Sequence, residues 1–154
     1  MNIDLCYFMR QAIDEGEKAF SEGEVPVGAV LVSPDGQIVA RSHNRCIGLN
    51  DPAAHAEILV MREAGNFYGN YRLNGSLLVV TIEPCLMCMG AAINARIARL
   101  VFGAFDLKAG AAGSLYNLAT DKRLNHRIEV TSGIMEEECR VLMQAFFKDR
   151  RRKE

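Results

Sequence analysis

Three side chains of the 154-residue sequence carry donor atoms suited to a single soft metal ion: His55, Cys85 and Cys88. Cys85 and Cys88 are three apart in Pro84-Cys85-Leu86-Met87-Cys88. That run is expected to open a helix, so both sulfurs face one side of its first turn. Pro84 stands where the first N–H of a helix lacks a partner in any case. Unpaired N–H groups and the positive end of the helix dipole favour thiolate over thiol there. Two thiolates and an imidazole suit Zn²⁺, and three protein ligands leave the fourth tetrahedral position to water, as in a catalytic site. Glu57 lies two residues after His55. Positions i and i+2 of a helix do not share a face, so Glu57 is expected to flank the metal rather than bind it. There it can carry protons for a water whose pKa zinc lowers to about 7.

Each piece alone has a plainer reading. A Cys-x-x-Cys pair after a strand fits a redox dithiol as well as a metal site. It also fits half of a structural zinc site, but no second pair exists to complete one. A single histidine near a helix start is more often an ordinary surface or hydrogen-bonded residue than a ligand. The combination narrows the choice: His55-Ala56-Glu57, then Pro-Cys-x-x-Cys opening 27 residues after Glu57, with one strand between.

The elements that must position these groups follow from periodicity. Leu5, Phe8, Met9, Ala12, Ile13, Ala19 and Phe20 recur at helical spacing and predict a helix over residues 3–22. A β-branched run at 25–32 and a second strand at 37–43 flank the turn Ser33-Pro34-Asp35-Gly36, which predicts a hairpin. A polar loop fills 44–52, and a helix is expected over 53–64 with Asp51-Pro52 supplying its cap. Residues 76–82 form a strand too apolar to alternate, hence buried on both faces. A helix from Pro84 to about Ala95, a buried strand at 99–104, a Gly/Ala-rich loop at 109–113, a short strand at 127–131 and a helix over 135–152 complete the chain. Strands that alternate with helices imply a partly parallel sheet with helices on both faces. The expectation is one α/β domain over residues 1–154, three layers deep, with a mixed five-stranded sheet.

Composition bounds the function. Hydrophobic residues make up 49% and charged residues 24%, the mix of a soluble globular protein rather than a disordered or fibrous one. The apolar stretch 77–82 is far short of the roughly 20 residues that span a bilayer, so no membrane partner is expected. Met1-Asn2-Ile3-Asp4-Leu5 lacks the pattern of a secretory leader, and five cysteines are an odd number for a disulfide framework. Both point to the cytoplasm. Charge is uneven: residues 1–30 hold six acids and two bases, residues 140–154 six bases and two acids. The basic end, Lys148, Arg150, Arg151, Arg152 and Lys153, either grips a polyanion or ends a helix in solvent with support from the dipole.

His55-Ala56-Glu57 with Pro84-Cys85-Leu86-Met87-Cys88 matches the signature of the zinc-dependent nucleobase deaminases, a signature that belongs to that superfamily and is not a deduction from spacing. Within it the chain resembles the bacterial tRNA-specific adenosine deaminases, over about residues 8–152. The resemblance rests also on Glu24-Val25-Pro26-Val27-Gly28-Ala29-Val30, Asn44-Arg45, Asp51-Pro52-Ala53-Ala54, Asn70-Tyr71-Arg72-Leu73, Thr81-Ile82-Glu83, Val101-Phe102-Gly103-Ala104, residues 108–114, Asn125-His126-Arg127 and Phe146-Phe147 with the basic end.

That resemblance implies a cytidine-deaminase-like fold, one zinc ion per subunit, a homodimer, and conversion of the wobble adenosine in an arginine tRNA anticodon stem-loop to inosine. Carried onto this chain, zinc hydroxide held by His55, Cys85 and Cys88 attacks C6 of adenine. Glu57 takes the water proton, delivers one to N1 and later protonates the departing ammonia. Asn44 hydrogen-bonds the flipped base, and a pocket built around a polar edge discriminates strongly. Asp106, Lys108, Asn125 and Arg150 fall where similar enzymes touch the anticodon loop. Their plain readings are a strand end, a solvated loop charge, a turn residue and a solvated helix end. Phe146 and Phe147 could stack bases, though one of them is expected in the core. Cys46 stands where similar enzymes often have proline, which bears on the pocket rim. Cys6 and Cys139 are expected as small apolar residues on helices, and His43 and His126 as structural or rim residues.

Three other readings remain open on the sequence. A deaminase of the same fold acting on a free base or nucleoside such as guanine or cytosine would not need the basic end or the 108–114 loop. A non-catalytic RNA-binding subunit with structural zinc would not need Glu57. A redox Cys-x-x-Cys protein is the third.

Overall fold

The computed structural model describes residues 4–153. The outermost residues of the expected domain, 1–3 and 154, and with them the leader reading of Met1-Asn2-Ile3, lie outside the described residues. The elements are α1 (Leu5–Ser21), β1 (Gly28–Val32), β2 (Ile38–His43), α2 (Ala56–Tyr68), β3 (Leu77–Ile82), α3 (Leu86–Asn94), β4 (Arg99–Ala104), β5 (Glu129–Thr131) and α4 (Glu136–Lys153). The strands form one sheet in the order β2-β1-β3-β4-β5. β1 runs antiparallel to both β2 and β3, whereas β3, β4 and β5 are parallel. This is the mixed five-stranded sheet that the alternation of elements implies.

Helices cover both faces. α1 packs on β1, β2 and β3 and touches α4, which lies on β4; α2 packs on β1 and β2 and touches α3. Covered on both sides, β1 and β3 are buried along their whole length, which is why neither alternates in sequence. Phe102, Met9, Leu31, Leu78 and Met89 are among the largest fully buried side chains, drawn from all three layers. The approach of α1 to β1 is close enough that a Cβ on Gly28 would overlap the α1 backbone at Ala12 and Gly16. Only glycine fits there.

Boundaries shift for local reasons. α2 starts at Ala56 with His55 as its N-cap, three residues later than the cap chemistry of Asp51-Pro52 suggests. Asp51 closes a turn of its own instead: its Oδ1 accepts from the Ala53 N–H at 2.9 Å, and its carbonyl from the Ala54 N–H at 3.2 Å. At the other end α2 runs on to Tyr68, where Gly69 at φ 65° stops it in a left-handed conformation. β5 is only three residues long. Cys139 is buried as expected, but Cys6 is exposed, because the inward stripe of α1 is Phe8, Met9, Ala12, Glu15, Gly16 and Ala19.

Glu15 on that stripe is a buried carboxylate that joins α1 to β2. It accepts from Lys18 Nζ at 2.6 Å and meets His43 Nδ1 at 3.1 Å, while His43 Nε2 meets Glu22 at 2.9 Å. Burial pulls Glu15 upward, but the hydrogen bonds from Lys18 and His43 together outweigh it and hold the carboxyl below its usual 4.5. A carboxyl depressed in the folded state stabilises the fold above its unfolded value and ceases to as pH falls through its folded one. Glu15→Gln is therefore expected to cost about 1–2 kcal/mol at neutral pH, with the gap to the wild type closing as pH drops below 4.5. Denaturant unfolding at pH 7 and at pH 3 measures both ends; a gap that stays constant would refute the assignment.

Candidate active site

Two helix starts aim at one point. His55 is the N-cap of α2 and Cys85 the N-cap of α3, both with extended backbone, and Cys88 lies in the first turn of α3. Pro84 thus precedes the helix cap rather than opening the helix. His55 Nδ1 is 3.7 Å from Cys85 Sγ and 3.5 Å from Cys88 Sγ, and the three donor atoms all lie within 4.8 Å of one another. One tetrahedral zinc ion with ordinary bond lengths holds sulfur and nitrogen about 3.5 Å apart. The donor set and its spacing fit zinc.

The electrostatics fit as well. Hydrogen bonding from the Cys88 thiol, and then from His55, outweighs burial and holds the Cys85 thiol down at about 3. The same contact with Cys85, with burial, pushes Cys88 up, and hydrogen bonding to Cys85 raises His55. A cation bound by these groups would displace the protons that Cys88 and His55 hold.

Glu57 is not one of the converging donors, as its spacing from His55 predicts. It sits in the first turn of α2, 4% exposed, and its carboxyl meets the Cys88 side chain. Burial raises the pKa of that carboxyl above the ordinary carboxylate range, the direction that suits a group which must hold a proton and then give it up.

Asn44 is buried on the loop after β2. Its Oδ1 accepts the Ala56 N–H at 2.8 Å, an amide that the helix geometry leaves without an internal partner. The Asn44 side chain therefore fixes the start of α2, and its amide nitrogen is the part left for a ligand. A cavity of about 390 Å³ opens beside it, lined by Asn44, His55, Val25 and Cys46 on one side and by Phe147 and Arg150 of α4 on the other. Burial and the nearby Glu24 carboxylate push the Cys46 thiol up, so this rim residue is a neutral one.

The remaining sequence candidates divide. Arg150 lines the cavity, lies 5.3 Å above the Phe146 ring and donates to the Gly23 carbonyl at 3.4 Å. Asp106 and Lys108 line an adjoining groove of about 660 Å³ that shares Phe147 and Arg151 with the cavity. Asp106 also builds its own loop, accepting from the Lys108 and Ala109 N–H groups at 3.1 Å. Asn125 stands apart from both spaces, exposed, with its Oδ1 accepting from Arg96 at 3.2 Å. Of the two phenylalanines, Phe146 is core and Phe147 is 44% exposed. His126 is structural, bonded to the Ile97 carbonyl at 2.7 Å.

Besides Glu15, sequence reasoning missed two buried carboxylates beside the site, Glu24 and Glu83. Glu24 accepts from the Ile47 and Gly48 N–H groups at 3.1 and 2.7 Å and so holds the loop that carries Asn44 and Cys46. The one available signal was position: each is an acid at the edge of an apolar strand with no basic neighbour in sequence.

Comparison with known proteins agrees with this geometry. Residues 3–104 match the family model for the cytidine and deoxycytidylate deaminase zinc-binding region. The chain is 49% identical over 146 residues to the tRNA-specific adenosine deaminase of Bacillus subtilis (strain 168), covering 95% of this chain and 90% of that one. A solved structure of a tRNA:A34 deaminase, studied for A-to-I editing at the wobble position of transfer RNA, superposes with a TM-score of 0.85 at 46% identity, covering 88% of this chain and 98% of that one. A guanine deaminase from Nitrosomonas europaea, 22% identical with a TM-score of 0.79 over 95% of this chain and 86% of that one, shares the fold.

Proposed function

The chain belongs to the cytidine and deoxycytidylate deaminase zinc-binding family, and from that premise we propose that it hydrolytically deaminates the wobble adenosine of a tRNA anticodon to inosine. The observation that carries the reading is the placement of buried Glu57 against the converging His55, Cys85 and Cys88, beside a cavity that runs from His55 to a basic helix end. The tRNA specificity of the similar Bacillus subtilis enzyme supports the choice of substrate.

His55, Cys85 and Cys88 hold the zinc ion, one per subunit, and zinc supplies Lewis-acid activation of water at neutral pH. Glu57 receives the first proton that water gives up and passes it to N1 of adenine, then receives the second, from the hydroxyl added at C6, and hands it to the amine as it leaves. Its burial serves both transfers, since a carboxyl whose pKa is raised accepts a proton more readily than an ordinary carboxylate would and can give it back as a neutral acid. Asn44, held by Ala56, offers its amide nitrogen to the flipped base. Arg150 and the other bases at the end of α4, with Lys108 across the adjoining groove, hold the flanking phosphates, and Phe147 offers a face for stacking. Asn125 touches the same RNA from outside the two spaces.

The substrate is an arginine tRNA and the enzyme a homodimer. A wide groove of about 880 Å³ between α2 and α3, lined by Ile58, Met61, Tyr71 and Ala91, supports pairing with a second copy. An enzyme of tRNA works where tRNA is, in the cytoplasm, and no helix among the described residues is long and apolar enough to cross a membrane.

Anticodon stem-loops that carry A, C or G at the wobble position test the proposal directly. Inosine should form from the first, at a rate at least about a hundredfold above that on free adenosine. Equal rates on free adenosine, or turnover of guanine instead, would turn the assignment to a small-molecule deaminase. Removing residues 148–153 should weaken stem-loop binding by about tenfold or more and flatten its salt dependence, because each lost phosphate contact lowers the slope by about 0.7 for a single strand. Titrations at two salt concentrations decide; unchanged affinity and slope would return those bases to the solvent.

A further inference from the structure

We infer that Glu83, which takes no part in the proposed chemistry, is the positioning residue that locks the 106–114 loop, and Lys108 with it, in register with the turn that carries Cys85. The inference rests on the tRNA reading for its effect on substrate and on geometry for the lock itself. Glu83 follows directly on β3, two residues before Cys85, and is 3% exposed. Its carboxylate oxygens accept from the N–H groups of Asp106 at 3.1 Å, Ala112 at 3.0 Å and Ser114 at 2.9 Å, and from the Ser114 hydroxyl.

One side chain thus collects four donors from both ends of a loop that has no helix or strand of its own. The loop gains one further anchor, from the Ala111 N–H to the Pro84 carbonyl at 2.8 Å. Among the described residues, the hydrogen bonds that tie 106–114 to the sheet end on Glu83 or Pro84. Glu83 is itself fixed, its N–H donating to the Ala104 carbonyl at the end of β4 at 2.9 Å. Four donors leave a carboxylate no oxygen lone pair for solvent or for a cation. Gly110 seals the contact, since a Cβ there would overlap the carboxylate.

The arrangement explains why an acid stands at this place. An amide in the same volume offers one acceptor oxygen and turns a nitrogen donor toward the remaining N–H groups, so part of the lock opens. Lys108 lies in the stretch between the two anchored ends, so its distance from the metal-bearing turn is set by Glu83.

Glu83→Gln, Gly110→Ala and the pair test this in the full-length zinc enzyme. In each single variant, amide hydrogen exchange at Ala112 and Ser114 is expected to accelerate by about tenfold or more. KM for the stem-loop should rise by about tenfold while kcat stays within about threefold and zinc remains at one per chain. The pair should be no worse than the more affected single variant, because both changes break one contact. Unchanged exchange in both variants would overturn the lock. Loss of zinc, equal loss in kcat and KM, or additive effects in the pair would also overturn it, since each assigns Glu83 to the fold or the metal turn instead. Should Glu83→Gln fail to fold, Gly110→Ala carries the test alone, as it leaves the carboxylate in place. A wild-type enzyme inactive on every stem-loop would sink the substrate reading, and the exchange measurement would still judge the lock.

Discussion

Glu57→Gln is expected to lower deamination of the wobble adenosine by at least about a hundredfold, and toward ten-thousandfold, with zinc still bound at one per chain. The amide keeps the volume of the side chain and one acceptor oxygen but cannot carry a proton between water, N1 and the leaving amine. The fold should tolerate the change. Glu57 is 4% exposed, and burying a neutral amide costs less than burying a carboxylate. The raised pKa of the carboxyl says the same in linkage terms: the folded state binds the proton more tightly than the unfolded one, so the ionised group weakens the fold as pH rises past its unfolded value. The variant should therefore melt no lower than the wild type at neutral pH. Single-turnover assays on a stem-loop, with elemental analysis and a thermal melt on the same sample, separate the proton role from damage to the site. Turnover within tenfold of wild type would mean that another group moves the protons.

Loss of the metal has the second large effect. Cys85→Ser, Cys88→Ser and His55→Ala should each leave the protein with well under one zinc and reduce turnover by at least about a thousandfold. Cys88 is fully buried and Cys85 only partly buried, so the serine at 88 leaves a hydroxyl with the fewest alternative partners and should be the more damaging of the two. Chelation of the wild-type enzyme should abolish turnover without changing its far-ultraviolet circular dichroism, because the sheet is buried by apolar side chains of its own. Added zinc should restore activity. Full zinc occupancy in both serine variants would instead make the cysteine pair a redox couple.

Much of the molecule could be read from the chain because its chemistry is local. Cys85 and Cys88 share one helical turn, and Glu57 is barred from the ligand set by its spacing from His55. The apolar runs at 77–82 and 99–104 announce strands covered on both faces. What could not be read depends on partners far away in sequence. Asp51-Pro52 has the chemistry of a helix cap, but the amide that needs capping at Ala56 is taken by Asn44, twelve residues upstream. Glu83 finds its donors 23 to 31 residues downstream. A backbone N–H carries no mark in the sequence, so a carboxylate that binds several of them looks like any other surface acid. The placement of β1 between β2 and β3 is likewise silent in the alternation of elements, since it rests on which edge the hairpin adds to.

The bond between Asn44 and Ala56 has a consequence for how such an enzyme could acquire a new target. A replacement at position 44 made to admit a different base, unless it keeps an acceptor where the Asn44 Oδ1 stands, also unplugs the opening amide of α2 and slackens the frame around His55. Selectivity and assembly are pleiotropic at a single side chain. Drift toward another nucleobase must cross less robust intermediates, unless a neighbour has already taken over as stopper for that amide.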